Sequence, residues 1–162
     1  MTTENYNTKQ KQVYFKAYKH LFLLENALKL IKEEDANFQI SILGKVVHFY
    51  IDKDMEVSNN IDVINFFWKD LLGNTVNFGS FYNPEIGNVF IAGSLAPTFL
   101  HIINDKPLAA LTSSLYGIFR GIGADETQAA TYLKLLNKGN YILIYRGFED
   151  ELHNLDNMLR NN

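Results

Sequence analysis

Residues that could do chemistry are scattered along this chain of 162 residues instead of forming a known catalytic motif. The histidines, which show neither HxH nor HExxH spacing, are His20, His48, His101 and His153. Their scatter predicts no metal site, because a tetrahedral site usually draws ligands at short, regular spacing. His101 could act as a general base, but packing in the core or at an interface is the better explanation, since no partner is identifiable.

Three other segments each lack a required part of the motif that they resemble. Ser94 is followed by leucine and alanine, without the second glycine of a nucleophile elbow, and helix capping explains it more simply. Segment 52–56 alternates acids as calcium ligands do, but it lacks the glycine and the final acid of such a loop. Glycines at 121 and 123 precede a predicted helix start, where backbone amides could bind phosphate, but the two acids that follow would repel it. We therefore predict no catalytic, cofactor-binding or metal-binding residues.

Aromatic residues are concentrated between positions 66 and 82. Core packing is the commoner explanation for such a cluster, and the alternative is the wall of a pocket or an interface. Successive helix residues point about 100° apart, so three in a row cannot all enter one core. We therefore predict a pocket or a homodimer interface, with these candidate residues: Phe66, Phe67, Trp68, Phe78, Phe81, Tyr82 and His101.

The composition narrows the class of protein. A formal charge of −3 provides no broad basic surface, so nucleic acid is not an expected partner. The absence of cysteine excludes disulfides, thiolate metal sites and cysteine nucleophiles. No basic and then apolar leader is seen, which favours a cytoplasmic location. The most apolar stretch, 89–103, is shorter than a membrane span and is interrupted by polar residues, so membrane contact is not expected.

Segment 121–147 gives the clearest structural pattern, which is a glycine turn, a helix, a glycine stop and a buried strand. Gly139 suits the left-handed position that ends a helix. The apolar run 141–146 is too short for a helix and suits a central strand. The residues predicted to form the apolar face of the helix are Ala129, Tyr132, Leu133 and Leu136.

The first part of the chain predicts a βαβ unit. Alternating residues indicate strands over 13–18 and 38–43, and an apolar stripe predicts a helix from about residue 20 to residue 34. The two strands are expected to run parallel through a right-handed crossover. Residues 46–51 could extend the second strand or form one arm of a hairpin.

The middle of the chain predicts mainly helices. Asn59 or Asn60 is suited to cap a helix that ends at Gly73, and a loop is expected over 74–84. A strand follows over 87–92. We then expect a short helix capped by Ser94 with residues 102 and 103 turned inward, and a further helix beginning at Pro107. The last helix is predicted over 149–160.

This order of elements predicts an α+β fold, in the form of a ferredoxin-like split βαβ sheet with helices on one face and extra helical insertions in the middle. A small three-layer α/β domain is the alternative. Residues 1–11 are polar and aperiodic, as a disordered tail would be, and residues 12–162 are long enough for a single domain.

Several segments resemble the small bacterial general stress protein family, known also as heat-induced stress proteins, whose function is not established. The resembling segments are 25–31, 38–45, 92–97 and parts of 121–144. None is a catalytic motif, so the resemblance implies an architecture and a stress-related role without specifying chemistry. Many relatives carry a glycine-rich, membrane-like pair of segments in the middle. Here Asp105 and Lys106 occupy that region, and the membrane contact that the family implies is not expected.

The leading hypothesis is a non-enzymatic, stress-related module that acts by binding a partner or by self-association. The alternative is a small-molecule-binding regulatory domain with a cleft at a subunit interface, by analogy with other ferredoxin-like sheets. An enzyme ranks third. A deep polar pocket with a perturbed histidine or carboxylate would favour the enzyme, a closed apolar cleft the regulatory domain, and a flat aromatic patch the interaction module.

Overall fold

The computed structural model describes residues 11–33, 39–46 and 61–161. The described strands are β1 (Lys11–Tyr18), β2 (Gln39–Lys45), β3 (Phe78–Asn83), β4 (Gly87–Gly93), β5 (Ile102–Ile103), β6 (Lys106–Pro107) and β7 (Tyr141–Phe148). The described helices are α1 (Leu21–Glu33), α2 (Ile61–Leu72), α3 (Ala96–Leu100), α4 (Ser114–Ile122), α5 (Glu126–Asn137) and α6 (Glu149–Arg160), with a short 3-10 helix at Leu108–Ala110.

The main sheet has the order β1-β7-β2-β4-β3, and every neighbouring pair is antiparallel. The strands β1 and β2 therefore run in the same direction, with β7 between them. The four strands predicted from the sequence lie in this sheet, and the first and last are adjacent, with Phe15 opposite Ile144. The α+β class is confirmed.

Helices cover both faces of this sheet. Neighbouring strand residues enter different cores, as Ile42 and Leu43 do, because successive side chains of a strand point to opposite sides. One core is formed with α1, α2 and α6, and the other with α3, α4 and α5. The prediction of helices on one face is therefore wrong. The arrangement has the three layers of the alternative, but its sheet is antiparallel and belongs to the α+β class. The central strands are apolar at consecutive positions, so both of their faces have to be covered.

The segment predicted as a loop over 74–84 contains the edge strand β3, so that prediction is wrong in part. Glycine and serine at positions 79 and 80 interrupt the apolar alternation, but pairing with β4 supplies the backbone hydrogen bonds. The Asn83 side chain ends the strand by donating to the carbonyl of Ala109 at 2.8 Å and accepting from the amide of Glu85 at 2.9 Å.

The predictions for residues 94–107 are also wrong. Ser94 does not cap α3, and its hydroxyl lies 3.3 Å from that of Ser41 on β2. Residues 102 and 103 do not turn inward, since Ile102 is 59% exposed. They pair with β6, and the tight turn between them places Asn104 and Asp105 at positive φ, as a two-residue hairpin loop requires. Pro107 belongs to this hairpin, and the next α-helix begins only at Ser114.

The last part of the chain agrees closely with the sequence prediction. Asp125 accepts from the amide of Gln128 at 2.7 Å, and the Gln128 side chain accepts from the amide of Asp125 at 3.0 Å, which is a capping box for α5. Gly139 has a φ of 97°, as expected for the residue that ends this helix. The strand β1 begins at Lys11, one residue before the predicted domain boundary. Residues 1–10, the proposed caps Asn59 and Asn60, and segments 47–51 and 52–56 lie outside the described residues.

Candidate ligand-binding cleft

A cleft of about 520 Å³ lies where β1, α1 and α6 meet. It is open on one side, and its size falls in the range of about 300 to 1,000 Å³ that is usual for small-molecule sites. The residues that line it are Lys16, Tyr18, Leu23, Asn26, Ala27, Lys29, Leu30 and Leu159.

Helix α1 supplies most of the wall because it carries two adjacent stripes. One stripe, which includes Leu24, Leu28 and Ile31, is buried against the sheet. Positions 23, 26, 27 and 30 form the second stripe at the same i, i+3, i+4, i+7 spacing, and all four line the cleft. The first stripe thus anchors the helix, and the second is left facing the open space beside it.

Strand β1 supplies the floor of the cleft because it is an edge strand. Tyr14 and Tyr18 pack against the core that contains α1 and α6, and Lys16 lies between them on the same face. Tyr18 stands opposite Tyr141 of β7, while no strand of the described part of the chain pairs with the far side of β1. Side chains at this edge are therefore only partly covered by the helices.

The hydroxyl of Tyr18 is buried and has no hydrogen-bond partner among the residues that the structure describes. Burial, and secondarily the negative charge of Asp156, raise the pKa of Tyr18 to about 12. The phenol is therefore protonated near neutral pH and can donate a hydrogen bond. A buried donor without a partner is unfavourable. A ligand acceptor that reaches this hydroxyl from the cleft would therefore remove that cost.

Asp156 on α6 is the acidic group beside this site. One of its oxygens accepts a hydrogen bond from Tyr145 Oη at 3.0 Å, and the other pairs with Arg160 Nη2 at 2.9 Å. Burial and Asp156 together raise the pKa of Tyr145. Both carboxylate oxygens thus have partners within the protein, which leaves Asp156 as a structural group next to the cleft.

Lys16 is a positively charged group beside Tyr18. Its Nζ lies 5.9 Å from the centre of the Tyr18 ring, at a distance typical of a cation–π contact. Burial lowers the pKa of Lys16, and the charge of Asp156 partly opposes that effect. The arrangement can bind a polar group through Lys16 and Tyr18 and an apolar group on the leucines.

The predicted aromatic site is not one surface. Residues 78 and 81 of β3 face opposite sides of the sheet, so the cluster is divided between the two cores. Trp68 is buried with Phe67 at 4.9 Å and Phe90 at 5.7 Å between ring centres, and Phe81 packs against Phe99 at 6.3 Å on the other side.

Two members of the aromatic set remain exposed. Phe66 is 73% exposed on α2, and Tyr82 is 61% exposed on β3. Both belong to the side of the sheet that α2 covers, because Tyr82 shares its strand face with Phe78 of that core. Their contact with another molecule stays a prediction.

His101 is exposed between α3 and β5, so it is not a core residue. Its backbone carbonyl accepts from the amide of Leu108 at 2.7 Å and thereby fixes the hairpin to the 3-10 helix. In ranges 11–33, 39–46 and 61–161, no three histidine, aspartate or glutamate side chains lie close enough together to hold a metal ion. Over the same ranges, no helix has both the length and the apolar character needed to cross a bilayer.

The sequence analysis did not identify Lys16, Tyr18, Asn26 or Lys29 as site residues. One signal could have found Lys16 and Tyr18, which is the Tyr-x-Lys-x-Tyr alternation over 14–18 that places two tyrosines and a lysine on one strand face. No family model matches the chain, and comparisons with curated proteins and with solved structures found no match either. The resemblance to general stress proteins therefore stays a prediction.

Proposed function

We propose that this chain is a non-enzymatic regulatory module that binds a small molecule in the cleft between β1, α1 and α6. The observation that carries the proposal is Tyr18, which lines the cleft and whose buried hydroxyl has no partner among the described residues. A buried hydroxyl in a folded protein is usually satisfied, and a bound acceptor would satisfy this one.

The raised pKa of Tyr18 supports binding over catalysis. A tyrosine that acts as a general base has to lose its proton near the working pH, which requires a lowered pKa. Burial has the opposite effect here and raises the pKa to about 12. Tyr18 is thus suited to donate a steady hydrogen bond to a ligand.

The test is to identify a molecule that occupies the cleft. The full chain, purified without denaturant, would be examined by native mass spectrometry and then screened against a small-molecule library by NMR of the backbone amides. We expect a hit that shifts amides of β1 and α1 and binds more weakly to Tyr18→Phe. Tyr14→Phe is the matched control, because Tyr14 is on the same strand face and does not line the cleft. If no compound perturbs this region, the proposal is overturned.

A second candidate function is self-association, favoured by the exposure of Phe66 and Tyr82 on one side of the sheet. Large aromatic side chains are enriched where protein surfaces associate. In this proposal the chain is a homodimer, its sheet is of the ferredoxin-like type, and it works in the cytoplasm in a stress-related role. The resemblance described above supports the role, and the formal charge of −3 supports a partner other than nucleic acid.

A further inference from the structure

The cleft carries positive charge although the chain as a whole has a formal charge of −3. Lys16 of β1 and Lys29 of α1 both line it, and none of the other described residues that line it is an aspartate or a glutamate. Neither lysine forms an ion pair with any residue in the described ranges. The cleft is therefore a local reversal of charge, as a site for a negatively charged group would be.

Asp156 compensates this charge only in part. Asp156 uses one oxygen for Tyr145 and the other for Arg160, so neither oxygen is directed to Lys16. Burial lowers the pKa of Lys16, which means that its charged form is incompletely solvated and incompletely paired. An anion in the cleft would supply the missing partner.

The other polar groups of the wall are suited to the same ligand. The Tyr18 hydroxyl is a donor near neutral pH, because its pKa is raised to about 12. Asn26 contributes an amide with two further N–H donors. A carboxylate or a fully ionised phosphate accepts hydrogen bonds and does not donate them, so a wall rich in donors and cations is complementary to such a group.

The remaining wall of the cleft is apolar, so the part of the ligand that lies on it should be apolar as well. Its members are Leu23, Ala27, Leu30 and Leu159. Leu23 is 41% exposed at the rim, which leaves aliphatic surface that a ligand can cover. A free inorganic anion would leave this surface in water.

We infer that the cleft binds a small amphipathic anion, whose carboxylate or phosphate contacts Lys16, Lys29 and Tyr18 while its apolar body lies on the leucines. This inference rests on the proposed function and specifies the chemical class of its ligand. The chemistry shared by the two head groups is a compact negative charge that accepts several hydrogen bonds.

The test compares three probes that share an eight-carbon chain: octanoate, octyl phosphate and octanol. Each would be titrated into the full chain by calorimetry, and the binding site would be located by NMR of the amides of β1 and α1. We expect both anions to bind at least about tenfold more tightly than octanol, because charge-assisted hydrogen bonds are stronger than neutral ones. The tighter of the two anions identifies the head group.

Lysine variants locate the charge that is responsible. We expect Lys16→Gln and Lys29→Gln each to weaken binding of the anions about tenfold and to leave octanol binding unchanged. Lys32→Gln is the matched control, since Lys32 is exposed on the same helix and does not line the cleft. Lys29 is also exposed, so its replacement tests the charge without disturbing a buried contact.

Two outcomes would overturn the inference while leaving the proposed function intact. One is equal binding of octanol and the anions at the cleft, and the other is anion binding that neither lysine variant weakens. Failure of all three probes to shift the amides of β1 and α1 would also overturn it. The proposed function is decided separately by the library screen, in which an uncharged ligand would still support it.

Discussion

At the scale of single residues, Tyr18 combines a stability cost with the proposed binding role. Its hydroxyl is buried without a partner among the described residues, although its ring packs against the core beside α1 and α6. An unsatisfied buried donor costs about 1 to 3 kcal/mol. Groups of this kind are retained in proteins when function needs them, because stability and activity often oppose each other.

Replacing Tyr18 by phenylalanine is therefore expected to stabilise the free protein. The change keeps the packed ring and removes the unsatisfied hydroxyl, so the free energy of unfolding should rise by about 1 kcal/mol. Urea unfolding monitored by circular dichroism measures this. Tyr14→Phe provides the comparison on the same strand face. A marked loss of stability in Tyr18→Phe would mean that the hydroxyl has a partner in the folded protein.

The same hydroxyl predicts a dependence of stability on alkaline pH. The pKa of Tyr18 is about 12 in the folded protein and near 10.0 without the fold, so the unfolded chain loses this proton first as the pH rises. The stability contributed by the protonated form is complete below about pH 10 and is lost as the pH approaches 12.

Unfolding of wild type and Tyr18→Phe at about pH 8 to 11 tests this, and the advantage of the variant should grow with pH. Lys16 faces the same cleft and has a lowered pKa, so it acts in the opposite direction. Tyr145 has a raised pKa and acts in the same direction as Tyr18. Both groups are present in both proteins, so most of their contribution cancels in the difference. The charge that ionised Tyr18 places near Tyr145 is lost in the variant, which lowers the pKa of Tyr145 there and acts in the same direction as the expected trend. A constant difference across the range would contradict the prediction.

Apart from Lys16 and Tyr18, the residues of the cleft were not predictable, because no local pattern joins residues of different elements. Lys16 and Lys29 belong to different elements, and Leu159 comes from the other end of the chain. Their proximity depends on β7 placing α6 beside β1, which is a property of the sheet order. A short motif search does not detect a site that is assembled in this way.

At the scale of elements, local signals account for the predictions that are confirmed. The unit of α5 and β7 has a cap at Asp125, a stop at Gly139 and an apolar strand, and each of these signals is encoded within a few residues. The strand β3 and the β5–β6 hairpin depend on pairing with partners, and their own residues indicate a loop or a helix. Pairing with neighbouring strands thus determined the structure of these elements, against the preference of their local sequence.

Within α5, the sequence places Leu133 at the centre of the apolar stripe, but the more deeply buried leucine is Leu136. Leu136 is fully buried, whereas Leu133 is only partly buried. We expect Leu136→Ala to lower the free energy of unfolding by about 2 to 5 kcal/mol, as truncation of a buried leucine does, and Leu133→Ala to cost clearly less. Chemical denaturation of the two variants side by side gives the comparison. Equal losses would mean that α5 presents a different face to the sheet.

At the scale of the whole molecule, the central feature is that one sheet separates two cores. The sequence predicted four of the five strands of the main sheet and the α+β class, and it offered a three-layer arrangement only as the alternative. The continuous apolar character of β7 was the available signal, because Tyr141 to Tyr145 are all buried. The aromatic set shows the same effect, since the sheet places Trp68 in one core and Phe81 in the other. Side chains close in sequence therefore do not form one surface.

Association is the property of the whole molecule that the two exposed aromatic side chains predict. Phe81 is buried, so the variant that tests association has to replace Phe66 and Tyr82 instead. We expect wild type to sediment at tens of micromolar as a dimer of the 18.6 kDa chain. The double variant Phe66→Ser, Tyr82→Ser should be a folded monomer, because each change removes apolar surface that a partner would cover without entering the core.

Tyr116→Ser is the control for this experiment, because Tyr116 is 37% exposed on α4, across the sheet from Phe66. It should leave the sedimentation of the dimer unchanged. Circular dichroism of each variant shows whether its fold is retained. A wild-type chain that sediments only as monomer over this concentration range would contradict self-association, and the cleft would then have to be complete within one chain. A dimer that survives the double change would place the interface elsewhere, with the exposed edge of β1 as the next surface to examine.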